Sequence, residues 1–310
     1  MSRIDYDSLA MLAAVVREGS FEGAARSMRV TQSAVSQRIK QMEEKVGVVL
    51  VARGRPSLPT DAGLQFCRHF EQVTLLQQEL GERMSALVDG KDGVAATIRL
   101  AVNNDSLATW FPNVIKRASQ ELGIRFDILP DDQEHTEVSL KSGDALAVIT
   151  TLETPVQGCR RISLGSMDYI AVASPEFFQA HFVDGVSLDA LRGSNCLAFN
   201  RKDTIQDLWM TLCFGDAVPV STHFVPSYEG YNACCAAGVG WGLVPSLAAM
   251  PLIKRGELVE LSPGKEVKVS LHWQASMLSS EILTRLGDLV LEEARKHLVP
   301  DSFRPATNAA

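Results

Sequence analysis

The stretch TQSAVSQRIKQMEEKVG, residues 31–47, has the length of a helix, but most of its polar side chains are short hydrogen-bonding groups. Glutamine and serine both donate and accept hydrogen bonds, whereas lysine and arginine bring positive charge. This mixture suits the base edges and phosphates of a DNA major groove. An ordinary amphipathic surface helix would share the same periodicity, so these residues alone leave both interpretations open.

The apolar residues of this stretch indicate which face of the helix would be buried. Val35, Ile39, Met42 and Val46 recur at i, i+4, i+7 and i+11, which predicts one stripe facing a core. Gly47 is suited to end the helix because glycine adopts the left-handed conformation of a C-cap. The polar residues that flank or oppose the stripe are the candidate DNA contacts. They are Thr31, Gln32, Ser33, Ser36, Gln37, Arg38 and Lys40.

A shorter helix is predicted directly before this one. Ser20 can cap its first turn, and Ala24 and Ala25 are small enough to let a second helix cross closely. Arg29 and Val30 then leave only a short turn before the next helix begins. Two short helices joined so tightly predict a helix-turn-helix.

The residues that follow, VVLVARGRPSLPTDAG, predict a wing. A short apolar strand leads to a basic tip, and prolines interrupt the chain beyond it. Such a tip is placed to contact a phosphate or the minor groove. Arg53 and Arg55 therefore join the candidate DNA contacts.

The segment SFEGAARSMRVTQSAVSQRIKQMEEKVGVVL, followed by LPTDAG, resembles the winged helix-turn-helix of LysR-type transcriptional regulators. The resemblance spans residues 1–60 with every element in order. It implies a regulator that binds double-stranded DNA sequence-specifically, with RNA polymerase as a further expected partner.

Bulk properties agree with this interpretation. The chain has 310 residues, of which 46% are hydrophobic and 22% charged, as in an ordinary globular protein. The net charge is −7, yet residues 1–60 hold nine basic and six acidic side chains. A small basic head on an acidic body suits a regulator whose body does not touch DNA. Neither a membrane-spanning run nor a signal peptide is evident, so we expect a cytoplasmic protein without membrane association.

A long helix is predicted after the wing, with Thr60 as its cap. Six of seven seam positions are apolar over three heptads, which is typical of a coiled coil. These positions are Phe66, Phe70, Val73, Gln77, Leu80, Met84 and Leu87. We expect residues 61–90 to form a linker helix that dimerises, although packing on its own domain remains an alternative. The family resemblance implies a homodimer that can pair into a tetramer.

From residue 98 the pattern alternates between strands and helices. IRLAVN, IRFDIL and ALAVIT are predicted strands, with one helix over DSLATWFPNVIKRASQELG and a short one over HTEVSLKSG. This order predicts a doubly wound parallel unit. A second unit is predicted from MDYIAVA onward, and VKVSLHWQA with a helix over residues 279–298 returns to the first lobe.

The predicted fold class is therefore α/β with an N-terminal, mostly helical winged helix-turn-helix. Residues 91–300 form two doubly wound lobes resembling periplasmic binding proteins, and residues 301–310 are predicted to be a disordered tail. In such folds a ligand lies between the lobes, at the carboxyl ends of the strands and beside helix N-termini.

The polar residues at those strand ends are the candidate effector contacts. A helix start there favours an anion such as a carboxylate, and the neighbouring acids favour a positive group. A ligand with both groups is a basic amino acid. The same acids would equally serve as helix caps or solvated loop residues. The candidates are Asn104, Asp105, Ser106, Asp131, Thr150, Asp203 and Glu229.

The segments AVNNDSLATWF, DDQEH, PVQGC and THFVPSYEG resemble the ArgP/LysG subgroup of LysR-type regulators, which sense lysine and arginine. This resemblance covers most of the effector region. It implies lysine or arginine as the small-molecule effector, and control of the export or metabolism of basic amino acids.

Other classes of function find little support in the sequence. There is no G-x-S-x-G, no phosphate-binding glycine loop and no H-E-x-x-H, so we expect no catalytic residues, no cofactor and no metal site. The six cysteines lack metal-ligand spacing and are interpreted as buried small residues. A LysR-type regulator that responds to redox state or to another small metabolite is the alternative.

Overall fold

The computed structural model describes residues 5–52, 54, 56–87, 97–131, 139–140, 145–156, 158–276 and 281–300. Within helices and strands, the side chains of residues 71, 72, 75, 78–87, 130 and 131 are not described. The end of the predicted linker helix, from residue 88 on, lies outside these residues, and so does most of the short helix predicted over HTEVSLKSG. The tail at 301–310 and the wing-tip residues Arg53 and Arg55 lie wholly outside them.

The N-terminal head consists of three helices and a two-stranded wing. Its elements are α1 (Tyr6–Glu18), α2 (Phe21–Met28), α3 (Gln32–Val46), β1 (Val51–Ala52) and β2 (Leu58–Pro59). The two strands pair antiparallel, as the wing prediction requires. Leu9, Leu12 and Val15 of α1 pack against Val35 and Ile39 of α3, and all five are almost fully buried.

One residue of the predicted apolar stripe does not join this core. Val46 is 37% exposed, whereas Val35, Ile39 and Met42 are buried as predicted. Val46 is the last residue of α3, and the chain turns away at Gly47 with φ 77°. Leu50, which is fully buried, takes the next core position instead.

A single long helix, α4 (Asp61–Leu87), follows the wing. Thr60 caps it as predicted, because its Oγ1 accepts a hydrogen bond from the Gly63 nitrogen at 3.1 Å. A Cβ at residue 63 would lie 2.0 Å from the Leu50 carbonyl oxygen, so only glycine fits where the helix crosses the chain. Phe66 and Phe70 pack against the head core, so the start of the seam is partly used within the chain.

The first lobe is built around parallel strands. β3 (Thr97–Asn103) lies between β4 (Arg125–Asp131) and β5 (Ala147–Thr150), and it pairs parallel with both. Helices α5 (Asn104–Ala108) and α6 (Phe111–Glu121) connect β3 to β4. These bounds confirm the three predicted strands.

The connection between β3 and β4 was predicted as one helix, and this was wrong. The break falls at Thr109 and Trp110. Pro112 has no N–H, so it cannot donate to the Ala108 carbonyl and continue α5. The Thr109 nitrogen instead donates to the Ser106 carbonyl at 3.2 Å, and the Trp110 side chain is fully buried.

Within the described residues, the second lobe has five helices and four short strands of its own. Its helices are α7 (Pro175–His181), α8 (Leu188–Arg192), α9 (Ile205–Phe214), α10 (Tyr228–Ala236) and α11 (Ser246–Lys254). Its strands are β7 (Asn195–Ala198), β8 (Ser221–Phe224), β9 (Gly242–Pro245) and β10 (Val259–Glu260). β7 pairs parallel with β8, and a bridge from Cys196 to Trp241 places β7 beside the start of β9.

Two long strands join the lobes. β6 (Cys159–Ala173) pairs antiparallel with β11 (Val267–Ser276) along its first part and with β9 and β10 along its last residues. The strand predicted over MDYIAVA is thus the second half of one continuous strand that serves both lobes. β11 pairs with β5, and α12 (Glu281–His297) packs on α6, which confirms the predicted return to the first lobe. Among the described residues, no helix is both long and apolar enough to cross a membrane.

Candidate functional site

The helix-turn-helix is held by local caps. Ser20 Oγ accepts from the Gly23 nitrogen at 3.0 Å, and Thr31 Oγ1 accepts from the Ala34 nitrogen at 3.2 Å. Arg29 ends α2 in the left-handed region with φ 56°. Glu43 connects the end of α3 to the wing. Its Oε1 accepts a hydrogen bond from the Leu50 nitrogen at 2.8 Å, which anchors the chain where it enters the wing.

The candidate DNA-contacting face of α3 is exposed. Thr31, Gln32, Ser33, Gln37 and Lys40 are exposed, and Ser36 is half-buried. The Lys40 Nζ atom lies 3.8 Å from Glu44 Oε1, a distance that leaves the ammonium free to turn toward a phosphate. The structure therefore brings these six candidates to one face of one helix.

Arg38 has a different setting from the other candidates on α3. Its Nη1 atom donates to Asp5 Oδ2 at 2.8 Å, and Asp5 is the N-cap of α1. The pKa of the Asp5 carboxyl is lowered, first by the hydrogen bond from Ser8 and further by the Arg38 guanidinium. Arg38 thus ties α3 to α1 within the head.

The effector region contains an acid at the boundary between the lobes. Asp105 lies in α5, directly after β3, and its Oδ2 accepts a hydrogen bond from the Tyr169 hydroxyl at 2.5 Å. Tyr169 is 8% exposed and lies on β6, where that strand leaves β11 and meets β9. The candidate acid is therefore held by a residue of the strand that joins the two lobes.

Electrostatics place further residues near Asp105. Burial raises the pKa of its carboxyl above the ordinary value of 3.8, the Tyr169 hydroxyl lowers it, and the Asp203 carboxylate raises it. Burial also raises the pKa of Tyr228, with the Asp105 carboxylate as a further cause. Asp203 and Tyr228 of the second lobe thus lie near enough to Asp105 of the first lobe to interact with it electrostatically.

Asp203 itself is already engaged. Its Oδ2 accepts from the Phe199 nitrogen at 2.9 Å, and its Oδ1 accepts from the Ile205 nitrogen at 3.2 Å. The amide of Gln206 donates to the same Oδ2 at 3.2 Å. These bonds hold the loop after β7, so Asp203 acts as a cap and contributes its negative charge to the cleft from a fixed position.

Three other candidates differ in how they are placed. Thr150 is buried at the end of β5, and its Oγ1 accepts from the Leu152 nitrogen at 3.1 Å. Glu229 is exposed in the first turn of α10. Asp131 ends β4, but its side chain lies outside the described residues.

Polar atoms at the start of α5 are buried without partners. Among the described residues, neither Ser106 Oγ nor Asn103 Oδ1 has a hydrogen-bond partner, and Ser106 is fully buried. Asn104 is half-buried between them in sequence. A buried polar group without a partner is costly, so a polar ligand group that reached either atom would be stabilised there.

Sequence reasoning missed Tyr169 and Tyr228. Tyr169 is 64 residues from Asp105, inside a strand that carries no motif, so no local signal identifies it. Tyr228 directly precedes the candidate Glu229, and its place at the start of α10 was the signal that could have identified it.

The cysteines do not resemble a reactive thiol site. All six are free, and burial raises the pKa of the thiols of Cys159, Cys196, Cys213 and Cys235, that of Cys235 to about 12. A raised pKa keeps a thiol protonated and poorly nucleophilic. In the part of the chain that the structure describes, no cluster of three or more potential metal ligands occurs.

Comparisons with known proteins cover both parts of the chain. Residues 6–64 match the bacterial regulatory helix-turn-helix protein, lysR family, and residues 91–295 match the LysR substrate binding domain. The HTH-type transcriptional regulator LysG of Mycobacterium tuberculosis is 42% identical over 289 residues, 93% of each chain.

Two solved structures extend the likeness to the fold. The structure of ArgP from Mycobacterium tuberculosis is 39% identical with a TM-score of 0.80, over 96% of this chain and 100% of that one. Full-length LysG from Corynebacterium glutamicum with bound effector Arg is 35% identical with a TM-score of 0.71, over the same shares. The Corynebacterium glutamicum relative is named lysine export transcriptional regulatory protein LysG. Its sequence is 35% identical to this chain, over 97% of this chain and 100% of its own length.

One conclusion follows from the two family matches, from the near full-length relatives named LysG and ArgP, and from the winged head joined to a two-lobed α/β region. The chain belongs to the LysR family of bacterial transcriptional regulators, which bind DNA through the head.

Proposed function

We propose that this protein is a cytoplasmic transcriptional regulator whose effector is a basic amino acid, lysine or arginine, bound between the two lobes. The observation that carries the proposal is the half-buried Asp105 carboxylate of the first lobe, whose pKa is raised by burial and by the negative charge of Asp203 in the second lobe. Two carboxylates in a desolvated space repel each other, and a cation placed between them relieves that repulsion.

The two ends of a basic amino acid fit the two kinds of group in the cleft. The side-chain cation lies at Asp105, with Asp203 adding attraction and Glu229 at the exposed rim. The carboxylate lies at the start of α5, where Ser106 Oγ donates a hydrogen bond to it. The ligand's amino group donates to Asn103 Oδ1. The relative with bound arginine supports this choice of ligand class.

The same proposal assigns the DNA contacts. Gln32, Ser33, Ser36 and Gln37 read base edges in the major groove, and Thr31, Lys40, Arg53 and Arg55 contact the phosphate backbone. Arg38 supports them by fixing the angle between α3 and α1.

A second copy of the chain completes the regulator. The later seam positions of α4 pair with those of a partner, and the dimer binds two related half-sites of one operator. Pairs of dimers assemble into a tetramer, and the DNA-bound assembly acts on RNA polymerase at promoters for the export or metabolism of basic amino acids. The name of the Corynebacterium glutamicum relative supports that choice of target.

Calorimetric titration of the full-length protein tests the effector assignment with matched ligands. Lysine is compared with norleucine, which lacks the ε-ammonium group, and arginine with citrulline, which lacks the positive charge. We expect both cations to bind and both neutral analogues to bind at least about a hundredfold more weakly, since they leave Asp105 unpaired. Equal binding of norleucine and lysine would contradict the assignment.

Sedimentation tests the oligomeric assignment. The double variant Val73→Asp with Leu80→Asp places two charges in the seam and should produce a smaller species than the wild-type protein. Circular dichroism must show that α4 remains helical for the comparison to count. A variant that sediments with the wild-type mass would refute pairing through α4.

A further inference from the structure

The two lobes are connected by a ribbon of only two strands. β11 pairs with β5 of the first lobe from His272 onward, and β6 pairs with β9 of the second lobe from Tyr169 onward. Between these points, residues 165–168 of β6 and 268–271 of β11 pair with each other and with no third strand of the described sheet. Two-stranded ribbons twist more than strands inside a larger sheet. We therefore expect rotation of one lobe against the other to occur in this ribbon.

The ribbon also contains a bend. The register of β6 and β11 shifts between Leu271 and His272, whose partners are Gly165 and Ser163, so Leu164 is left without an opposite residue. An extra residue of this kind bends a strand and increases its twist. Gly165 accommodates the bend with φ 102°, a conformation that would strain other residues. The bend lies beside the first lobe, so a change of angle there would move the second lobe as a whole.

The residues after α12 lie against this ribbon. The Ser166 nitrogen donates to the Val299 carbonyl at 2.8 Å, and the Val299 nitrogen donates to the Ser166 carbonyl at 2.9 Å. Together these bonds form an antiparallel bridge on the edge of β6 opposite β11. A Cβ at residue 165 would lie 2.5 Å from the Val299 carbonyl oxygen, so the two segments approach as closely as glycine allows. Val299 thus takes the place of a third strand beside the ribbon.

Val299 is fixed to the first lobe by the residues before it. Only Leu298 separates it from α12, and the Leu298 nitrogen donates to the Ala294 carbonyl at 2.7 Å. Leu298 is 5% exposed within the main hydrophobic cluster, and α12 packs on α6. The bridge therefore ties the ribbon, just beyond its bend, to a helix of the first lobe.

We propose that Val299 acts as a strap that restrains rotation of the lobes about the ribbon and so holds the cleft near one opening angle. A cleft already held in one arrangement loses less conformational entropy when a ligand binds. Loosening the strap should therefore weaken every ligand of the cleft by the same factor, because the side chains of the cleft are unchanged. The restraint itself does not depend on the proposed function, but its effect on lysine and arginine binding rests on it.

Hydrogen exchange of the full-length protein without ligand, measured by mass spectrometry of its peptides, tests the restraint. Gly165→Ala places a methyl group against the Val299 carbonyl and should break the bridge. We expect the amides of residues 267–271, which belong to the strand on the far edge of β6, to exchange roughly tenfold faster. Faster exchange confined to Ser166 and Val299 would mean that only the bridge had opened, and it would overturn the inference.

Gly185→Ala is the matched control for backbone strain. Gly185 also has φ 102°, but a Cβ there meets no atom within 4 Å. The substitution imposes the same left-handed strain without touching the strap, so exchange of residues 267–271 should stay within about twofold of the wild-type rate. Equal acceleration in both variants would assign the effect to lost stability and overturn the inference.

Val299→Pro opens the bridge without changing β6. Proline lacks the N–H that donates to Ser166, so this variant should also accelerate exchange of residues 267–271. Unchanged exchange in this variant would overturn the inference.

Calorimetry then tests the effect on the cleft. Gly165→Ala and Val299→Pro should both bind lysine and arginine about three- to tenfold more weakly, with an unchanged ratio between the two dissociation constants. Unchanged affinity, or a changed ratio, would overturn the link between the strap and the cleft. Failure of the wild-type protein to bind either amino acid would refute the proposed function, whereas the exchange result would still decide whether Val299 restrains the ribbon.

Discussion

The polar side chains of the DNA-binding head and those of the effector cleft differ in their solvent exposure and in their hydrogen bonding. In the head, Ser20 and Thr31 cap their helices, and the candidate reading residues of α3 stand in water. In the cleft, Asp105 is desolvated, and Ser106 Oγ has no partner among the described residues. The helix caps of the head are therefore satisfied without DNA, whereas the cleft holds polar groups that a polar ligand would stabilise.

The largest effect, on ligand affinity, is expected when the charge of Asp105 is removed. Asp105→Asn keeps the shape of the side chain but deletes its charge, so lysine and arginine should bind about a hundredfold more weakly. The unliganded variant should unfold at a higher temperature, because the repulsion with Asp203 is gone. Calorimetry and thermal unfolding measure the two effects.

A surface acid provides the control for this substitution. Asp189 is exposed and pairs with Arg192 at 2.8 Å between Oδ1 and Nη1, so Asp189→Asn should change neither quantity appreciably. If Asp105→Asn left ligand affinity and unfolding temperature as unchanged as Asp189→Asn does, the proposed role of Asp105 in binding a cation would be wrong.

A second effect concerns pH, and its sign follows from the raised pKa of Asp105. The folded, unliganded protein holds a proton on Asp105 at pH values above 3.8, where the unfolded chain has released it. This contribution to stability is present at low pH and is lost as the pH rises through the folded-state pKa.

A cationic ligand lowers that pKa, so binding should release protons, and affinity should rise with pH by at most tenfold per unit. Calorimetry in two buffers of different ionisation enthalpy measures the release. Proton uptake on binding would contradict this account, and Asp105→Asn should abolish the release.

The third prediction distinguishes two basic residues of α3, Lys40 and Arg38, by their effects on DNA binding and on stability. Lys40→Ala should weaken binding to every DNA sequence and reduce the salt slope by about one, as loss of one phosphate contact does. Arg38→Ala should instead reduce the stability of the head by at most about 1 kcal/mol, because its partner is Asp5. Binding at several salt concentrations, with urea unfolding of both variants, measures the contrast; an equal loss of salt slope would place Arg38 on DNA as well.

The smallest effect tests the local geometry of the head. Arg29 adopts a left-handed conformation that glycine accepts without strain, so Arg29→Gly should raise the free energy of unfolding by up to about 1 kcal/mol. Arg26→Gly, inside α2, should lower it by about the same amount. If both substitutions changed the free energy of unfolding in the same direction, the turn at Arg29 would not be strained.

The two regions also differ in how far the sequence predicted them. The caps, the turn and the buried face of α3 follow from neighbouring residues, so local chemistry was sufficient, and only Val46 at the helix end departed. The cleft depends on contacts between distant segments. The Tyr169 bond to Asp105 and the cap formed by Asp203 could not be predicted, because strand pairing and loop geometry create them.

The joining of the lobes by β6 and β11 has a consequence for the order of events during synthesis. The second lobe is a continuous insertion, so its strands are all available once β10 has left the ribosome. The first lobe must wait, since β5 pairs with a strand that emerges more than a hundred residues later, and α6 packs on the last helix. Of the two lobes, the one that begins first is thus completed last, and the nascent chain carries an open sheet edge throughout that interval.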